Sequence, residues 1–510
     1  MRNLAGMPQH RSSPWPSEST QTSRENSTPA GNSRGDWLGL CLILSNRRWL
    51  FGCSGFLRRR STMIRVRERM MHTMISIVVI VLGMSPFTLA WAQPTEFPRV
   101  DGSLSVQEAI TVALRHSPAI HAAKFGLSGA QAATRIARSM TRPQVSVNSY
   151  LTLGSMANIL GTSPDVTPVN SLAVSPKPFA DQNLTLMAPI YTGGRLAGLV
   201  RAADAQARSA SADLSETEVA TAYAVKIAYY RALLSQELVK VAAARLDAAN
   251  ELARNAAALF REGKGIEASV RRAEAEQADA QRELTTAQND EAKALLDLKA
   301  AMGIDLASQV RLTGTLEFLP IRFDEAAALA EALQNRPILR SAGARVAAAS
   351  AQEDATRGSL APQIYGAAMA DAFSSRPMGT GSGYTLGIVA SFPLVDAGQR
   401  RYQIASAESA RLKAKAEEQG VELQVANEVR QAWLDLTTAQ ENYRSAEAAV
   451  RSAQAAYDVS LLRFQNQKGI QVELLDALAA LTRAKANLAQ ALFDHAAARA
   501  AVERAVGRVH

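Results

Sequence analysis

Cysteine is almost absent from this 510-residue chain: there are two, Cys41 and Cys53. Both precede a segment that reads as a cleavable leader, so the remainder is expected to hold no disulfide, no thiol nucleophile and no thiolate metal ligand. Aromatic residues make up 5%, which argues against a carbohydrate or nucleobase cleft. Histidine is scarce beyond the leader. His116 and His121 stand five apart with no cysteine nearby, and His495 and His510 stand alone, so no metal site is assigned. No nucleophile, base and orienting group form a set, no cofactor motif is present, and the chain does not read as an enzyme. Met378-Gly-Thr-Gly-Ser-Gly383 has the composition of a phosphate loop. No Lys-Ser/Thr follows it and a strand pattern comes next, so it reads as a hairpin turn. No apolar run reaches the ~20 residues that a membrane-spanning helix needs.

The leader also accounts for the charge. The whole chain carries +9, but residues 1–92 contain 12 of its 56 basic and 4 of its 47 acidic groups. The rest is balanced to within one charge, and no basic patch argues for nucleic acid. Residues 1–62 are rich in Ser, Arg, Pro and Gly and have no lasting periodicity. Arg65, Arg67 and Arg69 then precede the apolar run 75–84, and Ala90-Trp91-Ala92 stands before Gln93. Basic segment, apolar core and small residues at −3 and −1 make a signal peptide, 63–92, cleaved after Ala92. Met63, Met70, Met71 and Met74 all stand at workable starts, so 1–62 reads as an over-extended reading frame.

What the chain does contain is a duplication. At an offset of 204, Pro189 falls on Pro393, Gly194 on Gly398, Phe260 on Phe464, and Lys264-Gly265-Ile266 on Lys468-Gly469-Ile470. At an offset of 219, Pro118 falls on Pro337 and Pro143-Gln144-Val145 on Pro362-Gln363-Ile364. The reading is a first repeat, 93–303, a linker, 304–323, a second repeat, 324–507, and a tail, 508–510. Each repeat has a helix, a β-hairpin (144–191, 363–395), a long helix (195–263, 399–466) and a further helix (267–302, 471–506).

The long helices carry a coiled-coil seam. Val429, Leu436, Tyr443, Val450, Tyr457 and Phe464 stand seven apart, with Ala432, Ala439, Ala446 and Ala453 three places after the first four. The first copy has Val225, Ala232, Val239, Leu246, Ala253 and Phe260 in register. Arg195 to Gly263 spans roughly 100 Å at ~1.5 Å per residue, far longer than a small domain is wide. The hairpins alternate with period two: Val145, Val147, Leu151 and Leu153; Leu184, Leu186, Ala188 and Ile190; Tyr384, Leu386, Ile388, Ala390, Phe392 and Leu394. Such strands suit a membrane barrel or a soluble sandwich. The strand from Ile364 is weaker, since Gly366, Ala368 and Ala370 are small. Four strands cannot close a barrel, and open edges in lipid leave backbone groups unpaired. Three chains would pool twelve strands and twelve helices.

Pro189-Ile-Tyr-Thr-Gly-Gly194 and Pro393-Leu-Val-Asp-Ala-Gly398 resemble the strand-to-helix motif of TolC-type outer-membrane efflux proteins. Phe260-Arg-Glu-Gly263, Arg463-Phe464 and Val472-Glu-Leu-Leu-Asp-Ala477 resemble that family's helix-tip segments. The resemblance covers about residues 100–507. It implies a homotrimer with a twelve-strand barrel in outer-membrane lipid and a twelve-helix periplasmic tunnel. The trimer would be a passive conduit for efflux or type I secretion, docking on a periplasmic adaptor and an inner-membrane pump of RND, ABC or MFS type. The rival reading is a periplasmic coiled-coil adaptor or scaffold, which would ordinarily show one hairpin rather than two.

By the same resemblance, Glu473 and Asp476 match the acidic positions that narrow the family's periplasmic entrance. They stand three apart, on one helical face, although a solvated face would look the same. Phe260, Gly263, Lys264, Gly265, Phe464, Gln467, Lys468 and Gly469 fall where the adaptor docks, besides making the turns themselves. Pro189, Gly194, Pro393 and Gly398 mark the strand-helix transitions. Phe464 stands where many members have Tyr and Gly469 where an Arg lock is often found, which leads to the expectation of a looser resting gate.

Overall fold

A computed structural model describes residues 97–154, 177–321, 324–375, 379–392, 394–466 and 468–509, all in the unit Gln93–His510. The leader, Pro393 and Gln467 lie outside the described residues. In chain order the elements are β1 (Gly102–Leu104), α1 (Val106–His116), α2 (Pro118–Ser139), β2 (Gln144–Gly154), β3 (Lys177–Tyr191), α3 (Arg195–Arg261) and α4 (Glu267–Met302). They continue with β4 (Val310–Leu312), α5 (Glu325–Asn335), α6 (Pro337–Gly358), β5 (Gln363–Ser375), β6 (Gly379–Ser391), α7 (Gln399–Gln465) and α8 (Gln471–Ala505).

Local chemistry sets the element ends. Ser105 caps α1 in a capping box: the Glu108 N–H donates to Ser105 Oγ, and the Ser105 N–H donates to Glu108 Oε2 at 2.8 Å. That backbone hydrogen bond, helped by the Ser105 hydroxyl, holds the Glu108 carboxyl below its usual range. Pro118 and Pro337 open α2 and α6, where a missing N–H costs nothing. Gly303, at φ 71°, closes α4.

The helices α3 and α7 have 67 residues each, about 100 Å at ~1.5 Å per residue. The first packs against α1, α2, α4, α6 and α8; the second against α5, α6 and α8. In α7 the expected seam is buried at Val429, Ala432, Leu436 and Ala439, and only half-buried from Tyr443 to Phe464. In α3 the burial shifts within the heptad towards the tip. Val225 and Ala232 are buried, whereas beyond them Ala242, Ala249 and Ala256 are more deeply buried than Val239, Leu246 and Ala253. Alanine there lets the neighbouring helix approach, so the larger side chains sit at the flank.

The segment after α4 is more firmly placed than its pattern suggests. Val310–Leu312 is only three residues, and it pairs in parallel with Gly102–Leu104. Tyr229 of α3, 1% exposed, pins this small sheet: its hydroxyl donates to the Leu104 carbonyl at 2.9 Å and accepts from the Gly314 N–H at 3.2 Å. Further along, Phe318 stacks on Tyr443 at 4.2 Å and lies 4.6 Å from the His495 ring.

One guanidinium, placed between two helices, reaches three others. Arg336, at the break between α5 and α6, is 1% exposed. Its Nη1 donates to Glu428 of α7 at 3.0 Å and to the terminal carbonyls of Arg504 and Ala505 in α8; its Nη2 donates to Glu216 of α3 at 3.1 Å. Orphan carbonyls at a helix end are thereby satisfied. Burial pushes the Glu216 carboxyl up in pKa despite the opposing pull of Arg336. The equivalent position in the first repeat is Ser117, so this link exists in one half only.

Two outcomes are expected. Arg336→Ala strands two carboxylates and two carbonyls and should cost about 3–5 kcal/mol, read as a fall in the unfolding midpoint of the detergent-solubilised protein. Adding Glu216→Gln and Glu428→Gln should recover part of the loss. His495 is 1% exposed and its Nε2 has no hydrogen-bond partner among the described residues. Burial, and then the Arg499 charge, lower its pKa below the ordinary 6.5. Stability from the neutral ring is therefore complete above that value and lost as the pH falls from there through the lower folded value. His495→Phe should flatten the decline in unfolding midpoint between neutral pH and pH ~5.

Candidate functional site

The four strands of the two hairpins form one antiparallel sheet in the order β2-β3-β5-β6. Register decides what each face carries. Val145 pairs with Leu186 and Val147 with Leu184; these pair onward to Ala368 and Ala370, and those to Leu386 and Tyr384. One face is thus continuously apolar across all four strands, and the small residues of β5, weak as a strand by themselves, are part of it. Val147 is 73% and Leu386 75% exposed; a contiguous apolar surface of this kind belongs against lipid. The opposite face carries Ser146, Asn148, Asn183, Thr185 and Asp371, with Asn148 Nδ2 donating to Asn183 Oδ1 at 2.9 Å. Among the described residues of the chain, β2 and β6 each pair on one side only.

The sheet passes into the long helices through glycines. Pro189 lies in β3, beside a register shift between Pro189 and Tyr191. Gly193 and Gly194 turn the chain with φ of 59° and 83°. A Cβ on Gly193 would stand 2.2 Å from that of Ala361, so this turn tolerates no side chain. Arg195, opening α3, donates to Gln363 Oε1 at 3.3 Å and to the Tyr365 hydroxyl at 3.1 Å. Gln363 Nε2 in turn donates to the carbonyls of Thr192, Gly358 and Ala361. The first repeat's junction is therefore clamped to the second's. Gln363 and Tyr365 were not singled out by their sequence context, because polar strand residues show no periodicity that marks such a clamp. In the second junction Gly398 sits at φ 83° and Ala397 at φ 50°, the latter strained by about 1–2 kcal/mol. Asp396 offsets this by accepting the Gly398 N–H at 3.0 Å.

At the far end the two helical tips turn alike. Lys264 N–H and Gly265 N–H donate to the Leu259 carbonyl at 2.9 and 3.0 Å; Lys468 N–H and Gly469 N–H donate to the Arg463 carbonyl at 2.8 and 3.0 Å. Gly263 is at φ 71°. Phe260, at the end of the expected seam, is exposed, whereas Phe464 is half-buried. It packs with Tyr457 and Leu461 against a cluster of Leu252, Ala256, Ala273 and Leu474, beside a cavity of about 330 Å³. Gln471 Nε2 adds a hydrogen bond to the Ser269 carbonyl at 3.1 Å. The two hairpins of one chain are thus tied at their tips by the packing of Phe464 and its neighbours and by the Gln471–Ser269 hydrogen bond. Glu473, half-buried, accepts from Arg463 Nη1 at 2.7 Å. Asp476 is exposed.

Comparison with known proteins is consistent with this architecture. The family model described as outer membrane efflux protein matches residues 109–304 and 328–508. Protein CyaE of Bordetella pertussis is 28% identical over 375 residues, which cover 72% of this chain and 76% of that one. Outer membrane efflux protein BepC of Brucella suis is 23% identical over 415 residues, 80% and 87% of the two chains. Among solved structures, the Campylobacter jejuni CmeC outer membrane channel superposes with a TM-score of 0.68 at 16% identity, covering 82% of this chain and 90% of its own. With a four-stranded sheet apolar on one face, paired long coiled coils and a family match over both repeats, this chain belongs to the outer membrane efflux protein family.

Proposed function

We propose that this outer-membrane protein is the subunit of a homotrimeric channel, a passive conduit from periplasm to exterior for efflux or type I secretion. The observation that carries the reading is the sheet, apolar on one face and half-paired at β2 and β6. In hydrocarbon each unpaired backbone group costs several kcal/mol. Pairing β6 of one chain with β2 of the next removes both edges, and three chains make a barrel of twelve strands, within the known range for such barrels. The polar face with Asn148, Asn183 and Asp371 then lines a watery lumen. The α3–α4 and α7–α8 hairpins continue that wall through the periplasm.

In this reading the hairpin tips are the periplasmic entrance. Glu473 and Asp476, near the start of α8, narrow it with carboxylates that favour cations. The turn residues Phe260, Gly263, Lys264, Gly265, Phe464, Gln467, Lys468 and Gly469 present the surface to which a periplasmic adaptor docks. An inner-membrane pump behind the adaptor supplies the energy and selects the cargo. Pro189, Gly194, Pro393 and Gly398 make the passage from lipid-embedded strand to aqueous helix.

The detergent-solubilised protein should have the mass of three chains by light scattering, and should migrate more slowly before boiling, as the assembled trimer, than after it. A monodisperse single chain would end the channel reading. Lys264→Glu with Lys468→Glu reverses two exposed tip charges that face the docking partner in this scheme. The pair should reduce cross-linking to the adaptor at least tenfold, a loss of about 1.4 kcal/mol in binding, with the trimer intact. Unchanged cross-linking would remove these turns from the docking surface.

A further inference from the structure

We propose that Arg463 sets the charge selectivity of the periplasmic entrance: it neutralises Glu473 and leaves Asp476 as the net charge of the constriction. The inference rests on the proposed placement of Glu473 and Asp476 at that constriction. Arg463 lies in the last turn of α7 and Glu473 in the first turn of α8, and the tip turn between them brings Arg463 Nη1 to 2.7 Å from Glu473 Oε1. The start of α8 adds the partial positive charge of a helix N-terminus beside Glu473, an effect that fades within one turn. Asp476, one turn further on, is exposed and has no ion pair among the described residues. Two carboxylates of one motif are thus held in different electrostatic states.

The pairing is not inherited from the duplication. Arg463, Glu473 and Asp476 correspond to Leu259, Ser269 and Arg272 in the first repeat. Only the second hairpin carries the ion pair, so the two hairpins of a chain present different charges at their tips. An exposed pair of this kind adds little to stability. Its effect is on the field: opposite charges at contact distance form a short dipole, which physiological salt screens beyond ~8 Å. An ion in a wide entrance responds mainly to the unpaired charge. The three side chains together carry one net negative charge per chain, hence three in a trimer; without Arg463 that becomes six.

The test is the reversal potential of the full-length trimer in planar bilayers under a potassium chloride gradient. Arg463→Gln should raise the cation-to-anion permeability ratio by about twofold or more, because the fixed charge doubles. Arg463→Lys should stay near the wild-type ratio, and Arg463→Gln with Glu473→Gln should return to it. Asp476→Asn serves as the separate control. If it leaves the ratio unchanged, the constriction itself is misplaced. If it lowers the ratio while Arg463→Gln does not raise it, the constriction stands and the role given to Arg463 is overturned. The exchange Arg463→Glu with Glu473→Arg preserves the pair and should keep the wild-type ratio. Failure of both Arg463→Gln and the exchanged protein to assemble would make the pair a structural one and overturn the inference as well.

Discussion

A β-strand inside a membrane must hydrogen-bond on both of its sides, and one chain of this protein does not meet that demand. Among the described residues the outer strands β2 and β6 have partners on one side only, and the sheet they bound is apolar on one face from Val145 across to Leu386. In hydrocarbon the backbone would be left with bare donors and acceptors; in water the face itself would be left exposed. Neither solvent suits the isolated sheet. In the proposed trimer the rest of the architecture brings such sheets together and holds them: long helices that share walls, junctions without slack, and tips that turn sharply.

The junctions transmit that order. Arg195 and Gln363 fasten the start of α3 to the start of β5, so strand and helix meet at a fixed angle rather than through a loose linker. Lower down, Arg336 draws α3, α7 and the end of α8 to one point. Tyr229 does the same for the small parallel sheet of β1 and β4. These are buried or half-buried polar contacts, and each depends on donors meeting acceptors with few left over.

Much of the fold was legible because it is periodic. The heptads of α3 and α7, the alternation in β2, β3 and β6, and the two offsets between repeats all leave marks in one dimension. The shortfalls have a common physical origin in contacts that join distant parts of the chain through single side chains. No spacing announces that Arg336 reaches Glu216 and Glu428, or that Gln471 reaches the Ser269 carbonyl. The strand β5 looked weak because Gly366, Ala368 and Ala370 are small; the register shows them flanked by larger neighbours on β3 and β6. The seam in α3 was displaced near the tip because alanine, not the larger residue, sits deepest where helices approach. At the tips, the resemblance placed Arg463 in a helix-tip segment but gave it no partner, because no spacing in the sequence announces its ion pair with Glu473 across the turn.

The pairing of β3 with β5 governs how the chain can mature. Those strands, Lys177–Tyr191 and Gln363–Ser375, are separated by two long helices and by two shorter ones, α5 and α6. Contacts so remote in sequence form slowly, since a long loop must close before they reward it. No half of the polypeptide can complete the sheet, so nearly the whole chain must have left the export machinery before a sheet ready for insertion exists. Until then the greasy ribbons of each repeat travel the periplasm unmatched, a period in which an escort would be needed to keep them from sticking to one another.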